Sequence, residues 1–119
     1  YVGDWLPTIA GLTGFQSAQD PKWDGLDRWK VLTGEDATPA PRTIYIGHAQ
    51  GRSVRHGDWK LIAMNKGKPQ LFNIGADAFE QNDLALKEPQ RLEEMRTRLA
   101  AEFAKDDKVM PADLKGLPH

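Results

Sequence analysis

Two short apolar runs on either side of a glycine- and proline-containing turn most constrain the fold of this chain. Trp59 to Met64 and Leu71 to Ile74 contain the apolar, β-branched and aromatic residues found in strands, and Lys66-Gly67-Lys68-Pro69 between them is typical of a turn. Upstream, Arg42 to Ile46 and Ser53 to Arg55 carry further strand signals. The pattern therefore predicts a small antiparallel sheet of three or four strands.

A pattern with the period of a helix follows the predicted strands. Proline is favoured in the first turn of a helix, and Pro89 stands where this pattern begins. The apolar residues that share one stripe of the helix are Leu92, Met95, Leu99 and Phe103. We expect this stripe to cover one face of the sheet, with Met95 in the core. The predicted fold class is therefore α+β.

The N-terminal part of the sequence predicts a shorter helical segment. Apolar residues recur at helical spacing from Leu6 to Leu12, Asp4 is placed to cap the helix, and Gly14 is placed to end it. A brief helical turn is predicted over Leu26 to Leu32. An exposed connection containing two prolines then leads to the sheet.

The predicted organisation has three parts: a helical segment with its connection over 1–41, the sheet with its covering helix over 42–105, and a tail over 106–119. A chain of 119 residues has room for one modest core. Its formal net charge of -1 argues against nucleic acid or an anionic membrane as a partner. No apolar run approaches the roughly 20 residues that span a bilayer. Without cysteine, the chain has no disulfide framework and no thiolate metal site.

Three blocks of the sequence, in order and spacing, resemble the sulfatase family. The first block is similar to the family's D-x-x-P-T helix, at Asp4 to Thr8, and to the D-G-x-D-x-W turn that follows it, at Asp24 to Trp29. This block looks closest to the arylsulfatase B-like branch. Arg55 to Ile62 resembles its R-x-G-D-W-K-L-I strand. Gln70 to Ile74 with Asp77 to Leu84 resembles its E-L-Y-N-L and D-P-x-E-x-x-N-L corner.

The resemblance implies that this chain is the C-terminal subdomain of a sulfatase, a piece of a longer enzyme whose larger N-terminal α/β domain would be its partner. Sulfatases hydrolyse sulfate esters with a formylglycine made in a C/S-x-P-x-R motif and with a calcium ion. No such motif occurs here. The resemblance therefore implies a chain with no catalytic residue, no metal ligand and no activity alone, and it favours an exported protein. Ala78, Gln70 and Asp83 depart from the family's usual Pro, Glu and Asn.

Five residues around the predicted strand turn are candidates for contacts with a sulfate ester substrate: His48, Arg52, Arg55, His56 and Trp59. A guanidinium group can bind a sulfate oxyanion through two hydrogen bonds, and an imidazole can donate one. An indole ring can stack on a sugar or aryl ring. The alternative remains that Arg55 and His56 are solvated turn residues and that Trp59 fills the core beneath the helix.

The acidic corner offers a second, weaker candidate site. Asp77, Glu80 and Asp83 could be proposed as cation ligands, but their spacing lacks the denser oxygen pattern of a calcium loop. We expect instead that Asp77 closes the turn through the backbone, and that the three carboxylates keep an exposed corner soluble.

Three functions therefore remain open. The chain could buttress a sulfatase catalytic domain and shape its substrate cleft, bind sulfated glycans as a freestanding module through its tryptophans and Arg52 and Arg55, or serve as a purely structural domain. The first helix discriminates between them. In a subdomain without its partner we expect Trp5, Leu6 and Ile9 to be poorly buried or to pack against another copy, whereas a self-contained module would bury them.

Overall fold

The computed structural model describes residues 1–21 and 23–106 of the chain. The chain divides into two compact units, one formed by Tyr1–Ala40 and the other by the chain from Pro41 onward. The predicted tail, apart from Asp106 at the end of the last helix, lies outside the described residues. Within the described residues, no helix is long and apolar enough to cross a membrane.

The helices and strands are divided between the two units in chain order. In the first unit a 3-10 turn leads into one helix, and a single helical turn follows: Val2–Asp4, α1 (Trp5–Thr13) and α2 (Trp29–Leu32). The second unit has four strands and a long helix: β1 (Thr43–His48), β2 (Gly51–His56), β3 (Trp59–Met64), β4 (Gln70–Asn73) and α3 (Pro89–Asp106). The strands are antiparallel neighbours in chain order, which confirms the predicted α+β architecture.

The core of the second unit lies between the sheet and α3. Four fully buried side chains form it, one from each of β2, β3, β4 and α3: Val54, Leu61, Leu71 and Met95. Partly buried apolar side chains surround this cluster: Trp59, Ala85, Leu92 and Leu99. The helix therefore covers the sheet with the predicted apolar stripe, and Met95 is a core residue as predicted.

The strand register decides which side chains face α3. Val54 pairs with Leu61, and Leu61 pairs with Leu71, so the buried residues form one row across the sheet. Side chains alternate along a strand, and Ile46 and Met64 are therefore on the opposite face. Both are exposed. The sheet thus has one face covered by α3 and a second face that α3 does not cover.

The first two strands are longer than predicted. β1 continues to His48 and β2 begins at Gly51, because the two-residue turn between them keeps these residues paired. Glycine is a weak strand former, so composition did not indicate a strand here. A β-carbon at Gly51 would lie 2.6 Å from the Ala63 carbonyl oxygen, and the small residue is what permits this close pairing.

The side chains of Asp4 and Thr8 hold the first unit together through hydrogen bonds. The prediction that Asp4 caps this helix is wrong: Asp4 has helical dihedral angles and makes no capping bond, because the 3-10 turn already leads the chain into the helix. Its carboxylate instead accepts the Leu26 N–H at 2.9 Å and lies 3.9 Å from Arg28 Nε. Gly14 ends the helix in the left-handed conformation, as predicted.

The Thr8 hydroxyl, one helical turn after Asp4, makes two further hydrogen bonds that hold the first unit together. It donates to the Asp4 carbonyl oxygen at 2.6 Å and accepts the Arg28 N–H at 2.9 Å, and the side chain is buried. At Gly25 the backbone passes so close to Gly3 that a β-carbon would lie 1.8 Å from its carbonyl oxygen. The residues of the D-x-x-P-T and D-G blocks therefore hold α1 against the segment that follows it.

Replacing Thr8 by valine should remove the two hydrogen bonds of its hydroxyl group without changing the shape of the side chain. The partly buried Arg28 N–H would lose its acceptor, so we expect a loss of about 1–3 kcal/mol in the unit's stability and faster exchange of the Arg28 amide. Thr13→Val is the matched control, because the Thr13 hydroxyl bonds an exposed helical carbonyl. Equal Arg28 exchange rates in the two variants, measured by NMR, would contradict the role given to Thr8.

Met95→Ala should destabilise the second unit strongly, because it opens a cavity between α3 and the sheet. We expect a loss of about 2–5 kcal/mol in the free energy of unfolding, measured by urea titration and circular dichroism. Met64→Ala removes the same atoms from the exposed face and should cost less than about 1 kcal/mol. Similar losses in the two variants would show that α3 does not pack as described.

Candidate functional site

The strand register divides the five predicted substrate-contact residues between two faces. Arg52, His56 and Trp59 are on the face that α3 covers, because each lies two residues from a core side chain. His48 and Arg55 are on the opposite face. Arg55 pairs with the β1 residue four positions before His48, which separates them by about 13 Å along the strand. The five residues therefore do not converge on one pocket.

Arg52 and Trp59 take part in holding α3 on the sheet. The Arg52 guanidinium carbon lies 3.7 Å from the centroid of the Phe103 ring, and the Arg91 guanidinium carbon lies 5.3 Å from the centroid of a Trp59 ring. Such cation–π contacts contribute about 0.5–2 kcal/mol each. Trp59 also packs against the core cluster, in line with the structural alternative stated for it.

His56 and Arg55 are bonded close to the β2–β3 turn. His56 Nδ1 lies 3.1 Å from the Thr43 hydroxyl oxygen on the neighbouring strand. Arg55 Nε donates to the Gly57 carbonyl oxygen at 2.9 Å, and its side chain is exposed. Arg55 has no ion-pair partner in the part of the chain that the structure describes, so its terminal nitrogens can still bind an anion.

The carboxylate of Asp77 closes the acidic corner, as the sequence predicts. Its Oδ2 accepts the Asn82 backbone N–H at 2.7 Å and the Asn82 side-chain amide at 3.3 Å. These hydrogen bonds, the backbone bond from Asn82 first among them, hold the pKa of Asp77 below its ordinary value of 3.8. The ionised carboxylate is therefore part of the folded corner.

The other two carboxylates of the corner also serve internal contacts. Glu80, with a left-handed φ of 55°, places its carboxylate 2.6 Å from Lys60 Nζ on β3. Asp83 Oδ1 accepts the N–H groups of Leu71 and Ala85 at 3.0 and 2.9 Å. The corner is therefore fastened to β3 and β4, and its acids have a structural role besides the expected one of keeping an exposed corner soluble.

These contacts bear on a possible calcium site. Each carboxylate of the corner is already bonded within the chain, and over residues 1–21 and 23–106 no three side chains of the metal-ligating types form a cluster. Calcium requires six to eight oxygen ligands. The described residues do not fit a calcium ion.

Positive charge is concentrated in the sheet, although the whole chain is nearly neutral. Between positions 41 and 76 the only carboxylate is that of Asp58. The basic residues of the same segment are Arg42, Arg52, Arg55, Lys60, Lys66 and Lys68. A net charge summed over the whole chain conceals this segregation, whereas a count by segment would have found it.

A groove lies at the end of the sheet, between the β1–β2 turn and the end of β3. Its volume is about 340 Å³, and its lining residues are Ala49, Gln50, Met64, Asn65 and Lys66. Asn65 fixes its shape, because its backbone N–H donates to the Gln50 carbonyl and its side-chain amide to the Ala49 carbonyl, both at 2.8 Å. Sequence reasoning missed this groove, since pairing across the sheet creates it.

Acidification should loosen the corner at Asp77. Because the folded-state pKa is lowered, the ionised carboxylate stabilises the corner above pH 3.8, and this contribution is lost as pH falls through the folded-state pKa. The Asn82 amide resonances, followed by NMR from about pH 6 to about pH 2, should report a transition below pH 3.8. Asp77→Asn should abolish this transition, and its persistence in the variant would assign it to another group.

Comparison with known proteins places the fold. No family model matches the chain. The structure of Ps i-CgsB, alone and in complex with k-i-k-neocarrahexaose, matches with a TM-score of 0.72 and 26% identity, covering 88% of this chain and 24% of that chain.

Two further structures show the same fold at lower identity. BT33336S-sulf, from a Bacteroides thetaiotaomicron locus for metabolism of glycosaminoglycans, matches at TM-score 0.65 and 22% identity over 82% of this chain. BT4656, in complex with D-glucosamine-2-N,6-O-disulfate, matches at TM-score 0.65 and 17% identity over 88%.

These structural neighbours are sulfatases, and the chain spans 24% of the length of each. The structure has an N-terminal helix, a four-stranded antiparallel sheet and a C-terminal helix that packs on the sheet, which is an α+β architecture, and the match to Ps i-CgsB covers 88% of this chain. The chain therefore has the fold of a sulfatase C-terminal subdomain.

Proposed function

We propose that this chain is the C-terminal subdomain of a sulfuric ester hydrolase of the arylsulfatase type, in the arylsulfatase B-like branch. In this role it buttresses the catalytic α/β domain, shapes the substrate cleft and does not hydrolyse substrate alone. The observation that carries the proposal is the match to Ps i-CgsB over 88% of this chain but 24% of that chain. The similarity of the D-x-x-P-T block to the arylsulfatase B-like branch supports the finer assignment.

The open apolar side of α1 supports a partner domain. Trp5, Leu6 and Ile9 are 60%, 58% and 51% exposed, as expected for a subdomain that lacks its partner. Removing apolar surface from water contributes about 25 cal/mol per Å², from which the entropic costs of association are subtracted. We infer that the catalytic domain covers this side of α1, and that the isolated chain self-associates through it.

The chemistry of the reaction would come from the partner domain. The sequence contains no C/S-x-P-x-R motif. The described residues contain no set of side chains that fits a calcium ion. We therefore assign formylglycine, the nucleophile of sulfatases, and calcium to the catalytic domain. The part of this chain would be to position the cleft and to lend it hydrogen-bond donors.

A sulfated glycan is the substrate class that we propose for the whole enzyme. The structures of two neighbours contain a carrageenan-type oligosaccharide and a glucosamine disulfate. Among the predicted contact residues, Arg55 and His48 are the exposed ones, whereas Arg52 and Trp59 also serve packing with α3. His56 is partly buried beside Thr43. We therefore rank Arg55 and His48 first as substrate contacts.

A freestanding module for sulfated glycans is the second candidate. The positive charge of the sheet favours it, because sulfated glycans are polyanions. The exposure of Trp5, Leu6 and Ile9 counts against it, since a self-contained module would bury them.

The proposal predicts a division of activity between this chain and a longer polypeptide. The reading frame that encodes the chain should contain a C/S-x-P-x-R segment upstream of Tyr1. The long polypeptide should hydrolyse an aryl sulfate in a calcium-dependent way, whereas the 119-residue chain should neither hydrolyse it nor bind calcium tightly. The proposal would be overturned by hydrolysis in a preparation of the chain that is free of the long polypeptide. It would also be overturned by a reading frame without that motif.

A matched pair of variants tests the role of α1. Ile9→Asp in the long polypeptide should lower its activity and melting temperature, because it places a charge in the inferred domain contact. Ser17→Asp, on an exposed residue of the same unit, should change neither. Both variants should leave the fold of the isolated chain unchanged, since both side chains are exposed there. Equal effects in the long polypeptide would exclude this face as the contact.

A further inference from the structure

The basic residues of the sheet differ in how far they are already engaged. Arg52 stacks on a ring of α3, Lys60 is paired with the acidic corner, and Arg55 donates to a turn carbonyl. Lys66 and Lys68, in the β3–β4 turn, have no ion-pair partner within residues 1–21 and 23–106. The end of the sheet that carries this turn therefore has two ammonium groups with no ion-pair partner among the described residues.

The groove described above opens at this same end of the sheet. Lys66 is one of its lining residues, and Met64 and Ala49 supply an apolar surface beside it. The volume of about 340 Å³ lies within the range of about 300–1,000 Å³ typical of small-ligand sites. The two hydrogen bonds of Asn65 fix the groove before any ligand arrives, which lowers the entropic cost of binding.

His48 borders the groove through the strand register. It pairs with Gly51, which pairs with Met64, so His48 and Met64 share one row and one face with no side chain between them. His48 Nδ1 accepts the Gln50 N–H at 3.2 Å. The imidazole therefore carries its proton on Nε2, and this N–H is a donor for an anion.

We propose that this groove binds a sulfated saccharide, with the sulfate group at Lys66 and a sugar ring against Met64. Lys68 adds charge, and His48 Nε2 donates a hydrogen bond to the same anion. The choice of a sulfated saccharide rests on the proposed function, whereas the existence of an anion site rests only on the groove and its charges. This site is separate from Arg52 and Trp59, which serve the packing of α3.

A saccharide fits the groove better than single-stranded nucleic acid, the other polyanion to consider. Proteins that hold single strands stack the bases on aromatic side chains. No aromatic side chain is among the described residues that line this groove. A compact apolar surface beside a lysine instead suits the carbon face of a sugar ring and its sulfate.

The test is a titration of the isotope-labelled 119-residue chain with a sulfated galactan hexasaccharide of the carrageenan type, followed by NMR. Saturable shifts should appear at residues 48–51 and 64–68. Lys66→Ala should weaken binding about fivefold, which corresponds to the loss of one charge-assisted contact, and Lys68→Ala about twofold. Lys87→Ala is the matched control, because Lys87 is an exposed lysine beyond the acidic corner, and it should leave affinity unchanged.

Four comparisons decide the outcome. The chemically desulfated hexasaccharide should not bind measurably, and equal binding would overturn the role of the sulfate. Inorganic sulfate that binds as tightly as the hexasaccharide would reduce the site to a general anion site and overturn the saccharide assignment. A single-stranded oligonucleotide that produces the same shifts at equal affinity would replace the saccharide by nucleic acid. Loss of affinity in Lys87→Ala equal to that in Lys66→Ala would exclude the groove.

This titration is independent of the sulfatase assignment. It measures binding to the isolated chain without turnover, whereas the proposed function is tested by hydrolysis in the long polypeptide. Binding in the groove without hydrolysis there would support the site and overturn the enzyme assignment. Hydrolysis without binding in the groove would overturn the site alone.

Discussion

The packing of α3 against the sheet at Met95 is the contact on which the second unit depends. Four short strands form a stable sheet only when one face is removed from water, and this helix supplies the cover. The buried row of Val54, Leu61 and Leu71 meets Met95 from the other side. This contact also assigns roles at the surface, because Arg52 and Trp59 on the covered face take part in the packing of α3. The two exposed candidates for substrate contact, His48 and Arg55, are on the face that α3 does not cover.

The motif that resembles sulfatases most closely in the first unit has a structural role within this chain. Asp4 and Thr8 use their side chains to hold the backbone N–H groups of Leu26 and Arg28, and Gly25 allows the two segments to approach. A sequence block that resembles a family can therefore owe its pattern to the hydrogen bonds that hold the fold together. The same unit leaves the apolar side of α1 open, which is the feature that the proposed partner domain would cover.

Charge in this chain is organised by element. The segment that forms the sheet carries six basic residues and one carboxylate, whereas the acidic corner uses its carboxylates to fasten itself to β3 and β4. Lys60 is neutralised by Glu80 in this way, and Asp77 and Asp83 bond backbone N–H groups. Since the acids of the corner are engaged locally, they compensate little of the charge at the opposite end of the sheet. A nearly neutral chain can therefore present a local surface for an anion.

The sequence by itself determined the elements of this fold. Runs of apolar, β-branched and aromatic residues bounded by turns identified the strands, and helical spacing identified α1 and α3. The three blocks identified the sulfatase fold. These signals are readable because strand turns and helix ends depend on residues that are close in sequence. Tertiary structure decided the site. Pairing placed Arg52 and Trp59 under α3 and His48 beside the groove, and Asp4 bonded a segment some twenty residues away in place of its own helix. These outcomes depend on strand register and on contacts between distant segments, which local spacing does not specify.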